Sequence, residues 1–136
     1  MRFLIITLLT VFILSGCKKT VENVQLDALM KLITNGQWKV TSFSKGNDDI
    51  TGQFATYHFQ FKENGTVDPI SNGAVQKTGS WVGNATDLTI QSDFGNAGAP
   101  LNFLNGTWSV KKTSTTHVEA TQQVNAELWA LRLDKL

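Results

Sequence analysis

The strongest constraint on the fold is a period of two, since apolar and polar residues alternate along several short segments of the chain. The clearest example is Tyr57, Phe59 and Phe61, which alternate with polar residues over 56–61. Successive side chains of a β-strand point to opposite faces, so this pattern predicts a strand with one buried face. Asn64-Gly65 follows, a pair that tolerates the positive φ angles of a tight hairpin turn. The segment therefore predicts an antiparallel hairpin.

Alternation bounded by turn residues recurs along the chain and predicts eight strands. We predict them at residues 37–44, 56–61, 66–70, 75–82, 88–91, 107–111, 116–122 and 128–135. Eight sequential antiparallel strands with apolar inner faces fit a closed up-and-down barrel, which removes exposed sheet edges. The sequence therefore predicts an all-β fold, an eight-stranded antiparallel up-and-down barrel with a short N-terminal helix.

Three local departures from this pattern are informative. Phe43 falls out of phase with the apolar residues before it, which predicts a bulge or a twist near the end of the first strand. Pro69 lacks the backbone donor of a central strand, so it marks a strand edge or a bulge. The connection 92–106 is longer than most hairpin loops, and residues 100–104 within it are predicted to form one helical turn.

A short amphipathic helix is predicted before the first strand. Apolar residues recur there at spacings of three and four, namely Leu26, Leu29, Met30 and Ile33. Asn35-Gly36 supplies the left-handed backbone that ends helices. We expect the apolar stripe to pack on the barrel, since an isolated helix of this length is marginal in water.

A glycine stands two residues before a tryptophan at three places: Gly36-Gln37-Trp38, Gly79-Ser80-Trp81 and Gly106-Thr107-Trp108. The first lies where the helical pattern stops and the first strand begins. The order apolar segment, Asn-Gly, one residue, tryptophan, strand occurs at 32–40 and again at 103–110. An internal duplication would explain the two copies, and so would two uses of a common turn.

The N-terminus has the features of a bacterial lipoprotein signal. Arg2 precedes an apolar run over 3–14, which is too short for a membrane-spanning helix. Leu14-Ser15-Gly16-Cys17 then resembles a lipobox, in which the cysteine becomes the lipidated first residue of the mature protein. We therefore predict a signal peptide at 1–16, a lipidated N-terminus with a linker and the short helix at 17–34, and the barrel at 35–136.

Lipidation of Cys17 predicts attachment to a membrane of the cell envelope. A single acyl chain binds membranes only reversibly, and additional chains make the attachment stable. No aspartate follows the cysteine, and in this the chain resembles lipoproteins of the outer membrane; the periplasmic face and the cell surface both stay open. Cys17 is the only cysteine, so no disulfide framework is available.

The charge balance disfavours nucleic acid as a partner. The chain has 12 lysines and arginines against 11 aspartates and glutamates, a formal net charge of +1. Such a chain has no basic stripe to replace the counterions around phosphates. We therefore predict no nucleic-acid partner.

The predicted barrel resembles the lipocalin and calycin barrels. A helical turn followed by Gly36-Gln37-Trp38 is similar to their first motif, and the short lipidated form resembles the lipocalin-like domain lipoproteins of bacteria. In lipocalins the tryptophan plugs the closed end of the barrel, and an arginine of the last strand packs over it. The resemblance implies these roles for Trp38 and Arg132. The tyrosine-aspartate motif and the disulfides of many lipocalins are missing from this chain.

Alternating strand directions divide the candidate residues between the two ends of the predicted barrel. Gly36, Trp38, Trp81 and Arg132 are placed at the closed end. The candidate ligand-binding residues are placed near the open mouth: Phe43, Phe54, Tyr57, Phe103, Trp108 and Trp129. The loops 45–53 and 92–104 are expected to lie over that mouth.

An eight-stranded barrel has room for its own side chains or for one small ligand, so two functions stay open. In the first, the mouth aromatics line an apolar pocket with Tyr57 as a polar handle, and the protein binds or carries a small apolar ligand. In the second, they fill the barrel, and the protein is an interaction or inhibitor module whose loops bind an envelope or foreign protein. The family resemblance favours the ligand.

Catalytic and metal-binding patterns are missing from the sequence. His58 and His117 are the only histidines, and neither has a second histidine or a cysteine at ligand spacing. No nucleophile elbow, phosphate-binding loop or calcium-binding loop is present. We therefore predict a protein that is not an enzyme and that needs no metal and no cofactor.

Overall fold

Ten β-strands form from the alternating segments in the computed structural model, which describes residues 27–136. Eight of them make up the barrel wall: β1 (Trp38–Lys45), β3 (Tyr57–Phe61), β4 (Thr66–Ser71), β6 (Gly79–Asn84), β7 (Thr89–Asp93), β8 (Gly106–Thr113), β9 (His117–Val124) and β10 (Glu127–Lys135). The other two, β2 (Asp48–Asp49) and β5 (Ala74–Val75), contain two residues each. The predicted signal peptide, Cys17 and Leu26 lie outside the described residues.

The wall strands pair in chain order and close into a ring. Each pairs antiparallel with the next, and β1 also pairs with β10, from Trp38 opposite Lys135 to Lys45 opposite Trp129. This last ladder joins the two ends of the sheet, so the sheet closes on itself. The structure confirms the predicted eight-stranded antiparallel up-and-down barrel.

The two ends of the barrel differ in what covers them. The lower end is the end where β1 begins, and there residues 27–34 belong to helix α1. The upper end carries β2, β5 and two 3-10 helices, η1 (Thr51–Phe54) and η2 (Leu101–Leu104). The second of these confirms the helical turn predicted within the long connection. The polar loop predicted at 45–53 contains β2 and most of η1.

One strand begins later than its sequence pattern predicts. The pattern predicts a continuous strand over 75–82, but β6 begins at Gly79, because the residues before it pair back onto β4 as β5. The N–H of Gln76 donates to the carbonyl of Pro69 at 2.7 Å. The ladder between β4 and β6 covers only 66–67, so Pro69 lies beyond it, as predicted for a strand edge.

A bulge in β1 decides which of its residues face the interior. The register with β10 shifts between Val40 and Ser42. Trp38 and Val40 are buried, and the bulge returns Phe43 to the interior one residue out of phase. This confirms the irregularity predicted at Phe43, and it lets one strand fill the barrel at both ends.

Helix α1 covers the lower end of the barrel. Ile33 is fully buried in the core, and Met30 and Leu32 pack against the core while partly exposed. Gly36 has a φ of +81° and ends the helix, as the sequence predicts. The turn brings Trp38 into the barrel, where its indole N–H donates to the Ile33 carbonyl at 2.8 Å.

Within residues 27–136, no helix combines the length and the apolar character that crossing a membrane requires.

Gly79 allows β6 to pass close to the neighbouring strand. A Cβ atom at this position would lie 2.7 Å from the carbonyl oxygen of Asp93 and 2.7 Å from the ring of Phe94. Neither neighbour can move freely, because the oxygen belongs to the backbone of β7 and the Phe94 ring is buried. Glycine is therefore the residue that fits this strand start.

We predict that Gly79→Ala lowers the free energy of unfolding by about 1–3 kcal/mol, the usual cost of overpacking a close contact. Gly52→Ala is the matched control, because no atom lies within 4 Å of the position of its missing Cβ. The control should change the free energy of unfolding by less than about 0.5 kcal/mol. Urea denaturation followed by tryptophan fluorescence compares the two variants. Equal losses would contradict the close passage at Gly79.

Candidate functional site

The structure brings together the six aromatic residues that the sequence places at the mouth: Phe43, Phe54, Tyr57, Phe103, Trp108 and Trp129. They form one connected cluster at the upper end. Phe43 contacts three of the others, with ring centroids 5.4 Å from Phe54, 5.6 Å from Trp108 and 6.1 Å from Trp129. The strand directions derived from the sequence therefore place these six rings correctly.

Phe43, Phe54 and Trp108 fill the upper part of the barrel interior. All three are buried. Phe54 comes from η1, so the connection between β1 and β3 folds back into the barrel. The indole N–H of Trp108 donates to the Leu104 carbonyl at 2.9 Å, which fixes η2 over the same end. The mouth is therefore closed by side chains and loops of the protein itself.

A cavity of about 50 Å³ remains beneath this cluster. It extends from Trp108 at the upper end to Ile33 of α1 at the lower end, and its walls are apolar apart from Ser92. The Ser92 hydroxyl donates a hydrogen bond to the Leu104 carbonyl. Pockets for drug-sized ligands have volumes of about 300–1,000 Å³. The cavity is therefore too small for such a ligand while the side chains keep these positions.

The remaining three rings, those of Tyr57, Phe103 and Trp129, are partly exposed at the rim of the upper end. Lys45 Nζ lies 4.1 Å from the ring centroid of Phe103 and 4.9 Å from that of Trp129. The carboxylate of Glu127 accepts the Trp129 indole N–H at 2.8 Å. We name Lys45, Phe103, Glu127 and Trp129 the rim cluster. Lys45 contacts both rings through cation–π interactions, and Glu127 also holds Trp129 through its hydrogen bond.

The three tryptophans outside the rim cluster share a structural role. Each is buried and donates its indole N–H to a backbone carbonyl, Trp38 and Trp81 toward the lower end and Trp108 at the upper end. A buried indole needs such a partner, because an unpaired donor would cost free energy on leaving water. Trp129 instead bonds to an exposed carboxylate. Of the four tryptophans, Trp129 is therefore the one that the surface presents.

The repeated Asn-Gly-x-Trp order forms the same local structure at both ends of the barrel. Gly36 has a φ of +81° and Gly106 a φ of +117°, and each follows a helical segment. In each copy the buried tryptophan bonds to a carbonyl of that preceding segment, at Ile33 or at Leu104. One copy holds α1 over the lower end, and the other holds η2 over the upper end.

The cation over Trp38 is Lys135, so the role that the resemblance implies for Arg132 is wrong. Lys135 Nζ lies 5.2 Å from the ring centroid of Trp38. Arg132 lies between Leu131 and Leu133, which are both buried. Strand alternation therefore turns the arginine side chain to the outer face of the barrel, away from Trp38.

On that outer face Arg132 takes part in a network of ion pairs. Its guanidinium donates to Asp134 at 2.8 Å and to Glu119 at 3.3 Å, and the Thr41 hydroxyl also donates to Asp134. The hydrogen bonds from Arg132 and then from Thr41 lower the pKa of Asp134 to about 2. Because the four residues come from β1, β9 and β10, the network crosses the ladder that closes the barrel.

The histidines and Asp68, among the described residues, lie in separate surroundings. His58 lies in β3, and the Nδ1 atom of His117 lies 2.8 Å from a serine hydroxyl next to β9. Asp68 forms an ion pair with Lys62 at 2.7 Å, and this hydrogen bond lowers the pKa of the carboxyl group. Among residues 27–136, no group of three or more histidine, cysteine, aspartate or glutamate residues could hold a metal ion.

Sequence patterns do not identify the charged members of the rim cluster. Lys45 is predicted to begin a polar loop, but it ends β1 directly opposite Trp129. Glu127 precedes the predicted last strand by one residue. It is the pairing register between β1 and β10 that places Lys45 beside Trp129. No local pattern sets that register, because the two strands are far apart in the chain.

Comparison with known proteins supports the fold. No family model matches the chain, and no curated protein matches its sequence. Among solved structures, the chain is similar to the crystal structure of a DUF4847 family protein from Bacteroides vulgatus ATCC 8482. The TM-score is 0.55 at 13% sequence identity, over 78% of this chain and 96% of that chain. At this identity the likeness shows the barrel fold alone.

The network on the outer face also predicts a pH dependence: the free energy of unfolding should decrease as the pH is lowered below about 4. The pKa of Asp134 is lower in the folded protein than in the unfolded chain, so its contribution is present above about pH 3.8 and is lost as the pH falls through about 2. At pH 7, Asp134→Asn should lower the free energy of unfolding by about 1 kcal/mol. The loss is no larger because the ion pair with Arg132 is partly exposed to water. Chemical denaturation across this pH range should show the two proteins converging near pH 2. A difference in unfolding free energy that stays the same at every pH would contradict this role of Asp134.

Proposed function

We propose that the protein is a lipid-anchored barrel of the cell envelope that acts as an interaction module, binding a partner protein through the rim cluster. The observation that supports this choice is the filled interior, where Phe43, Phe54 and Trp108 leave a cavity of about 50 Å³. A carrier of small apolar ligands would need several times that volume. Of the two functions that the sequence leaves open, the packing therefore favours the solid barrel.

The composition of the rim cluster fits protein recognition. Tryptophan is enriched among the residues that contribute most to binding at protein interfaces, and aromatic anchors are effective when they lose little freedom on binding. Trp129 and Phe103 are already held by Lys45. Lys45 and Glu127 add one charge of each sign, which would orient a partner with complementary charges.

Lipid attachment through Cys17 is the second part of the proposal, and it rests on the lipobox resemblance. Only nine residues stand between Cys17 and Asp27, the first described residue, which belongs to α1 at the lower end. The rim cluster lies at the opposite end of the barrel. A membrane anchor at the lower end would leave that cluster facing away from the lipid surface. The absence of an aspartate after Cys17, in which the chain resembles lipoproteins of the outer membrane, supports an outer-membrane location.

We assign no catalytic role, metal or cofactor to the protein, and no nucleic-acid partner. Its two histidines, His58 and His117, lie on separate strands, β3 and β9. We propose no nucleic-acid partner because a chain with a formal net charge of +1 has little attraction for phosphates.

The rim proposal predicts that Trp129→Ala weakens capture of an envelope protein about tenfold or more, as expected when an interface anchor is truncated. Leu128→Ala is the matched control, because Leu128 is exposed on the same strand but faces the outer wall. The measurement is affinity capture from solubilised envelopes of the source cell, quantified by mass spectrometry, with folding checked by circular dichroism. Equal capture by both variants would contradict the proposal.

Native mass spectrometry of the same purified protein tests the rival function. A small molecule that stays bound in the native state and is lost on denaturation would replace the interaction module by a ligand carrier. Its presence would also require the cavity beneath Trp108 to expand on binding.

The anchor proposal predicts that Cys17→Ala abolishes metabolic lipid labelling and moves the protein from the membrane fraction to the soluble fraction. Loss of the acyl chains removes nearly all of the expected membrane affinity, because each buried methylene contributes about 0.8 kcal/mol. A variant that remains fully membrane-bound and unlabelled would show that the segment around Cys17 acts as an uncleaved anchor.

A further inference from the structure

An apolar groove lies at the lower end of the barrel, between α1 and the strands beside it. Leu29 and Leu32 line its helix side, and Ala85, Leu88 and Val110 line its barrel side. Its volume is about 310 Å³, several times that of the internal cavity. The groove is separate from the rim cluster, which lies at the other end, so it is a second apolar surface of the molecule.

Leu88 in this groove is unusual in both its exposure and its backbone. Its side chain is 54% exposed, and its φ is +52°. An ordinary residue is disfavoured in a left-handed backbone, so glycine or asparagine is the usual choice for such a turn. Its carbonyl accepts the Val110 N–H at 2.8 Å, which holds the turn in place. The exposed part of this leucine gains nothing from the residues that the structure describes, so a further contact would account for it.

The charges around the groove tolerate a lipid surface and add a weak attraction to it. Five charged residues neighbour its lining residues along the chain, and all five are exposed: Lys31, Lys111, Lys112, Asp27 and Asp87. Lysines beside a bilayer are attracted to anionic head groups. Because three cations stand against two anions, this attraction is small. Burial of the apolar side chains would therefore supply most of the binding to a membrane.

The proposed lipid anchor brings this end of the barrel to a membrane. Ala28 of α1 lines the groove and stands eleven residues after Cys17. A fully extended chain spans at most about 3.6 Å per residue, so Ala28 lies within roughly 40 Å of Cys17. Any less extended path brings the groove closer. Once the anchor is in place, a lipid surface is therefore always within reach of the groove, whereas a second copy of the chain has to arrive by diffusion.

We propose that the lower end of the barrel docks on the lipid bilayer, with Leu88 and the groove around it inserted among the lipid head groups and the upper parts of the acyl chains. This docking rests on the proposed lipid anchor and goes beyond it, since an anchor alone leaves the barrel free to turn above the surface. Contact with lipid buries the exposed leucine. It also fixes the orientation of the barrel, with the rim cluster directed away from the membrane.

Fluorescent labels on single introduced cysteines test the docking in the mature, lipidated protein. Leu88→Cys and Thr113→Cys are each labelled and reconstituted into vesicles of phosphatidylethanolamine and phosphatidylglycerol; Thr113 is exposed and also lines the groove. The thiol of Cys17 is consumed by lipidation and takes no label. Both groove labels should be quenched by a nitroxide attached to the lipid and shielded from iodide in the water.

Leu128→Cys is the control label, because Leu128 is equally exposed, at 54%, but lies at the upper end. It should be quenched by iodide and not by the nitroxide lipid. Flotation of the vesicles shows in the same sample whether the protein is anchored.

Three outcomes would overturn the docking. Iodide quenching of both groove labels in protein that floats with the vesicles would mean that the anchor is correct and the barrel stands clear of the bilayer. Groove labels shielded from both quenchers would mean that protein, such as a second copy of the chain, covers the groove. Protein that does not float with the vesicles would contradict the lipid anchor itself, and the docking with it.

A second variant measures the contribution of Leu88 without a label at that position. Leu88→Asn should keep the turn, because asparagine adopts a left-handed backbone readily. In this background the Thr113 label should report docking weakened about fivefold, as expected when roughly half of a leucine side chain is no longer buried. Leu128→Asn is the matched control and should leave quenching by the nitroxide lipid unchanged. Equal quenching with and without Leu88→Asn would contradict insertion of Leu88.

Discussion

The pairing of β1 with β10 is the interaction on which the rest of the barrel depends. β1 meets β3 through the single pair of Trp38 and Phe59, so most of its wall ladder is formed with the last strand. Without that ladder the sheet would be open, its apolar inner face would be exposed at two edges, and no interior would be enclosed. The bulge before Ser42 turns Phe43 inward, and the network of Thr41, Arg132 and Asp134 crosses the same strands on the outside.

Closure of the wall leaves two open ends, and the chain covers both with the same device. A helical segment crosses the end, a glycine in the left-handed region turns the backbone, and a tryptophan enters the barrel and bonds back to that segment. Ile33 is thereby held at the lower end and Leu104 at the upper end. With both ends covered and the interior filled, the rim cluster is the candidate surface for recognition.

Much of this architecture follows from local sequence. Alternation at 56–61 and its counterparts, with Asn-Gly turns between them, predict the strands, because a side chain's face on a strand depends only on its parity. The error at 75–82 and the role wrongly given to Arg132 have a different origin. Val75 pairs with Ile70 across the tight turn between them, so the predicted strand is divided between β5 and β6. The cation over Trp38 comes from Lys135 and depends on which distant side chain lies over the ring, which a local pattern does not contain.

By itself, the sequence determined the fold class, the order of the strands and which six aromatic rings gather at the upper end. This is possible because a side chain's face follows from its position in its strand, and the strand direction reverses at each successive turn. Only the tertiary structure decided whether those rings line a pocket or fill it. The volume left inside depends on how Phe43, Phe54 and Trp108 from three separate elements pack against one another. Close packing is a property of that assembled set, and here it reduces the interior to about 50 Å³.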